Sequence, residues 1–270
     1  MNMEYENLDM IFWMQEWNHS GLSDQRKLEL LKCLFKYQLK KLESLQYDCI
    51  VHQGDHHIDG LDSRDIYRLA KMQKPVIEMA MKIGKPSFLP FLPVLPRKIV
   101  ETFNVVMQLY NSGENWCPAL NFNKVDMGKE TSPHHGPYFI LNIDQGWSTA
   151  GLSVEDSRAQ ITAKGLHAMN LAEAVADQMH TNILRLSAIY ACGSTYKENK
   201  KYVPILYIDQ QGNFGLNCDA IDKPKKGFIS PSYETSMVAI SWRGIINPKA
   251  WIRFKKRPKK ERIIVPLKAD

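Results

Sequence analysis

Residues 138–144, Tyr-Phe-Ile-Leu-Asn-Ile-Asp, read as a buried strand. A short, nearly continuous apolar run fits a strand shielded from water, and Gly136 and Pro137 set up its entry. Upstream the periodicity is helical. Residues 8–18 predict a short helix, and Ser23 or Asp24 caps a longer one running to about Gln46. In that helix Leu28, Leu31, Phe35, Leu39, Leu42 and Leu45 recur at three- and four-residue steps, forming one stripe for burial. Asp62 or Ser63 caps a further helix to about Met72. Val76 to Ile83 is helical until Gly84 and Pro86 end it. Phe88 to Leu95 is apolar but carries Pro90 and Pro93, which assigns it to a sheet edge or an extended segment. Arg97 to Tyr110 returns to helical spacing through Ile99, Phe103, Val106 and Tyr110.

Downstream the strands gather. Ser153 caps a helix over residues 154–164, and Asn170 caps another over 171–180. Ile183 to Ala191, Tyr202 to Asp209, Phe214 to Leu216 and Glu234 to Trp242 read as strands, with a turn at Gln210-Gln211-Gly212-Asn213. Helices first and strands late point to an α+β fold, with a helical N-terminal half packed on a mostly antiparallel sheet formed by the C-terminal half. The expected organisation is one domain over 1–270. Within it, a mainly helical 1–110 and a sheet-rich 137–270 are joined by a loop-rich stretch at 111–136, the natural place for a hinge or lid.

Composition sets the class. An apolar fraction of 44% with 24% charged residues supports a packed core rather than disorder. The first residues carry Glu4, Glu6 and Asp9 where a secretory signal needs basic ones. No charge-free apolar run approaches the length of a membrane span. The five cysteines, Cys33, Cys49, Cys117, Cys192 and Cys218, are widely spaced and include no CxxC pair, the pattern of reduced thiols. These features together predict a cytoplasmic location, where the sequon at Asn18 meets no glycosylating machinery.

The formal net charge of +6 is concentrated in one place. Residues 249–270 hold nine Lys and Arg against Glu261 and Asp270, leaving 26 basic and 27 acidic residues in the rest of the chain. Arg253, Lys255, Lys256, Arg257, Lys259, Lys260 and Arg262 surround Pro258, between two strand-like runs, 251–254 and 262–265. Such a hairpin attracts nucleic acid, anionic lipid headgroups or another polyanion. A solvated tip whose lysines discourage edge-to-edge pairing accounts for the same residues.

Three other constellations carry possible chemistry. His52, His56 and His57, among Asp55 and Asp59, are metal-ligand types, but the glycines argue against a helix, and both HExxH and EF-hand spacing are missing. An exposed polar loop explains them equally. His134 and His135 precede the 138–144 strand, where one could act as acid or base and where both could equally be solvated. Cys192-Gly193-Ser194 ends a predicted strand, a location that suits a nucleophile or anion-binding amides, although GxSxG is absent and Cys192 also reads as a small buried hydrophobe. No GxxxxGK[ST], GxGxxG or kinase set occurs, and no cofactor signature is present.

Gly136-Pro137 with the strand after it, Leu171-Ala172-Glu173-Ala174, Cys192-Gly193-Ser194 and Val203-Pro204-Ile205-Leu206-Tyr207-Ile208 occur in that order. The series resembles a bacterial family of uncharacterised proteins classed as a domain of unknown function, over about residues 86–217. Thr195 stands where that family carries an arginine after Gly-Ser, and the family's tryptophan- and glycine-rich C-terminal pattern is missing. The resemblance implies an α+β fold and no particular chemistry. The leading expectation is therefore a non-catalytic binding protein whose basic C-terminal hairpin contacts nucleic acid or another polyanion. The alternative is an enzyme, hydrolase-like, with a cleft between the 111–136 loop and the sheet.

Overall fold

The computed structural model describes residues 10–48, 63–95, 124–127, 137–212, 214–241 and 244–246. The fold is α+β. Four helices open the described chain: α1 (Met10–Trp17), α2 (Asp24–Asp48), α3 (Ser63–Lys71) and α4 (Gln73–Ile83). Ser23 caps α2 as its sequence position predicts, its hydroxyl accepting the Arg26 N–H at 3.2 Å. Leu31, Phe35 and Leu42 of the predicted stripe are fully shielded from water, together with Leu30 and Leu34 beside them.

That stripe packs on a sheet ordered β1–β3–β10–β11, from β1 (Leu89–Val94), β3 (Tyr138–Asp144), β10 (Ser232–Ser241) and β11 (Gly244–Ile246), with β4 (His167–Ala168) joined to the start of β10. All these pairings are antiparallel. Phe35 stacks on Phe139 with ring centroids 5.3 Å apart and meets Phe91 edge-on. Each such pair adds about 0.5–1.5 kcal/mol beyond the area it buries. Tyr138, next along β3, points the other way and reaches α6 (Leu171–Thr181). The first sheet is thus covered by α2 on one face and α6 on the other, which explains why β3 needs apolar residues on both.

The prolines of β1 are compatible with its place at the edge of the described sheet, where among the described residues it pairs with β3. Gln38 interrupts the apolar face of α2 for a matching reason: its amide donates to the Phe91 carbonyl at 3.0 Å. Asn142 is the one irregular point of β3. It lies in the left-handed region at φ 54, and its amide bridges the Lys85 N–H and the Glu234 carboxylate at 3.2 and 2.6 Å. Asparagine tolerates that backbone better than any branched residue.

A second sheet, ordered β8–β7–β5–β9, contains β5 (Ala188–Tyr190), β7 (Tyr202–Ile208), β8 (Phe214–Ala220) and β9 (Phe228–Ile229). Only β5–β9 is parallel. Helix α5 (Val154–Ala163) covers its outer face through Val154, beside Tyr190, Val203 and Ile205. The two-residue strands β2 (Val125–Asp126) and β6 (Thr195–Tyr196) pair with each other.

Two expectations change. The strand expected over 183–191 is shorter, because Ile183–Arg185 forms a 3-10 turn after the left-handed Asn182 and only Ala188–Tyr190 pairs. The described strands form two larger sheets rather than one, the first taking in β1 from the N-terminal half, with the buried helix α6 between the first sheet and the start of the second. The expected helix at 97–110, the hairpin at 251–265 and most of the 111–136 loop lie outside the described residues. No described helix is long and apolar enough to cross a membrane.

Candidate functional site

Of the residues singled out in the sequence, Cys192 and Ser194 fall within the described structure. His52, His56, His57, His134 and His135 lie outside it, as do Arg253, Lys255, Lys256, Arg257, Lys259, Lys260 and Arg262.

The Cys192-Gly193-Ser194 turn follows β5 and presses against the start of α6. Ser194 is fully buried, its hydroxyl accepting the Leu171 N–H at 2.9 Å and facing the Met127 sulfur at 3.7 Å. Cys192 is 3% exposed, its sulfur 3.2 Å from the Ser230 hydroxyl. Burial pushes its thiol up to about 11, so it is protonated at neutral pH and a poor nucleophile. Gly193 fits where no side chain would, since a Cβ there would stand 2.4 Å from the Ala168 carbonyl oxygen. An arginine does attend this turn, but it comes from α5: the Arg158 guanidinium donates to the carbonyls of Cys192 and Ser194 at 2.9 and 3.2 Å.

The amides here are already engaged. Gly193 N–H donates to Met169 O and Ser194 N–H to Ala191 O. Asn170 and Glu173 close a reciprocal capping box, each side chain accepting the other's backbone N–H at 3.0 and 2.8 Å. The turn and the first turn of α6 thus satisfy each other, which gives Cys192, Gly193 and Ser194 a part in holding the fold.

A second cluster was not legible as a site. Every residue of α6 from Leu171 to His180 is buried, yet Glu173, Asp177 and His180 lie along it at steps of four and three, on one face. Tyr138 donates to the Glu173 carboxyl at 2.9 Å, and the Tyr233 hydroxyl approaches the same group. Desolvation dominates these contacts and raises Glu173 to about 7. Asp177 is raised to about 6 by the same cause, opposed by hydrogen bonds from Thr181 and Gln145. His180 is pushed well below the usual imidazole range, first by burial and then by the nearby Lys41 cation. Among the described residues neither ring nitrogen of His180 nor the second Asp177 oxygen finds a hydrogen-bond partner. Lys41 is itself lowered to about 8 by desolvation.

Chemically, burial brings the Glu173 carboxyl to about 7, near neutrality, while the Tyr138 phenol 2.9 Å away is pushed further above its ordinary range and keeps its proton. The sequence concealed this because polar residues once per turn usually mark a solvent face. The signal available was Glu173 at the third position after Asn170, which announces the cap but not the burial. Among the described residues no group of three or more His, Cys, Asp and Glu side chains could hold a metal ion.

A scan of the chain against family models finds no match, nor does a search of curated proteins or of solved structures.

Proposed function

We propose that this chain is a non-catalytic binding protein that holds nucleic acid, or another polyanion, through Arg253, Lys255, Lys256, Arg257, Lys259, Lys260 and Arg262. The observation that carries the reading is the separation of charge: nine basic residues against two acidic ones over 249–270, beside a remainder that is almost neutral. A bulk positive charge would attract anions weakly from every side, whereas a concentrated one binds them at one place. Trp251 and Phe254 interleave with the basic residues, and aromatic rings among cations suit base stacking.

The hydrolase alternative draws no support from the Cys192-Gly193-Ser194 turn. Its thiol is protonated and its hydroxyl serves as a helix cap. Catalysis by nucleophilic attack needs one of these groups free and activated by a base within hydrogen-bonding reach.

Binding of labelled single- and double-stranded nucleic acid by the intact chain, beside a variant with Lys255, Lys256, Lys259 and Lys260 changed to Glu, tests the reading. Affinity that collapses in the variant supports it. Equal affinity in the two, or none in either at low salt, overturns it.

A further inference from the structure

The folded body carries a second concentration of positive charge, assembled from two turns distant in sequence. Strand β7 begins where β8 ends: Tyr202 pairs with Ala220, and the Ile221 N–H donates to the Lys201 carbonyl at 3.0 Å. The 197–201 turn that precedes β7 therefore lies beside the start of the 222–227 loop that follows β8, a loop whose far end returns to β5, where the Gly227 carbonyl accepts the Ala188 N–H. Both are exposed throughout. The first contributes Lys197, Lys200 and Lys201, the second Lys223, Lys225 and Lys226. Lys124 joins them, because the Lys197 N–H donates to its carbonyl at 2.7 Å.

Of the nearby carboxylates two are engaged, while Glu155, whose N–H donates to the Ile221 carbonyl, and Asp222 are exposed. Glu198 is paired with Lys124 at 2.8 Å, and Asp219 with Lys225. Among the described residues Lys200, Lys201, Lys223 and Lys226 make no ion pair, and Asp222 is the only other acidic residue on these turns. Tyr202 stands at the junction with 39% of its surface exposed, unusual for a strand residue whose neighbours Val203 to Leu206 are buried.

Clustered lysines repel one another unless a counter-charge arrives, and their flexible ammonium groups suit phosphates of no fixed spacing better than a planar carboxylate fork. An exposed aromatic ring among them adds a surface on which an unpaired base stacks. No described helix projects from these turns to enter a duplex groove. We infer that the 197–201 and 222–227 turns, with Tyr202, form a second phosphate-contacting surface that binds single-stranded nucleic acid alongside the basic C-terminal segment. The inference rests on the reading that the partner is a polyanion.

The test compares four intact chains: the native one, a body variant (Lys200, Lys201, Lys223 and Lys226 to Glu), the C-terminal variant above, and a body variant with Gln in place of Glu. Each is titrated with labelled oligothymidylate across a salt series and with phosphatidylserine vesicles, and its unfolding midpoint is recorded. The expected result is a native-like midpoint, at least about ten-fold weaker oligonucleotide binding in the Glu body variant, and a salt slope shallower by about 2–3 units, since each single-strand phosphate contact contributes about 0.7. The Gln variant falls between. Unchanged affinity and slope in both body variants, with loss confined to the C-terminal variant, overturns the second surface and leaves the proposed function standing. No oligonucleotide binding by the native chain overturns both. Loss on vesicles but not on the oligonucleotide overturns nucleic acid as the partner.

Discussion

The Ser194 hydroxyl accepts the backbone N–H of Leu171 at 2.9 Å, so a turn after one sheet caps the helix buried behind the other. Replacing Ser194 with Ala leaves that N–H buried without an acceptor. The expected cost is about 1–2 kcal/mol in denaturant unfolding, typical of a lost helix cap. Nucleic-acid affinity is expected to stay at the native value, because the residue serves the fold. A variant of native stability would show that the cap contributes nothing.

Gly193 lies in the same turn. Its Cβ position is filled by the backbone of Ala168, Met169 and Asn170. Gly193→Ala is therefore expected to destabilise more than Ser194→Ala, by about 2–3 kcal/mol or by failure to accumulate folded protein, because backbone must move to admit the methyl. Equal unfolding midpoints for the native chain and Gly193→Ala would contradict the close approach.

Cys192 should resist alkylation in the folded chain at about pH 8, since the attacking form is the thiolate. Its thiol is 3% exposed and is pushed up to about 11. Site-resolved mass spectrometry after iodoacetamide treatment checks this, with labelling expected only once denaturant is added. Rapid labelling under native conditions would restore Cys192 as a nucleophile.

Glu173 gives the fold a pH dependence of known sign. Its carboxyl rises from 4.5 to about 7 on burial, so the folded state binds a proton that the unfolded state releases. Its contribution to stability is full below about pH 4.5 and is lost as pH rises through about 7, with a size on the order of 3 kcal/mol. Asp177 acts in the same direction between 3.8 and about 6. His180 acts oppositely, losing stability as pH falls through 6.5, because only the unfolded imidazole readily takes up a proton. Glu173→Gln, compared with the native chain by unfolding at a series of pH values, should flatten the decline between about 4.5 and about 7. An unchanged pH profile would place the Glu173 carboxyl in a water-like environment.

The sequence made the fold legible wherever a local signal and the burial agreed. Ser153 and Asn170 cap their helices as predicted, because a side-chain oxygen ahead of a helix needs no tertiary context to find an N–H. The 138–144 strand matches its predicted span for a similar reason, an apolar run of strand length with a glycine-proline entry. The 183–191 segment was less legible, since nothing local announces the left-handed Asn182 that bends the chain before β5. The polar face of α6 was misleading in kind. Glu173, Asp177 and His180 look like a solvated stripe until the sheet and α2 are placed around them. The lysine turns were equally hidden, because Lys201 and Ile221, and with them the starts of the two turns, come together only through the register of β7 with β8.

The most direct test of the polyanion reading is the salt dependence of nucleic-acid binding by the intact chain. Seven Lys and Arg residues between 253 and 262 predict a logarithmic affinity falling linearly with logarithmic salt, with a slope of about −3 to −5 on single strands, since each single-strand phosphate contact contributes about 0.7. A slope near zero, or no binding at the lowest salt, would contradict the account and return the basic segment to a role in solubility.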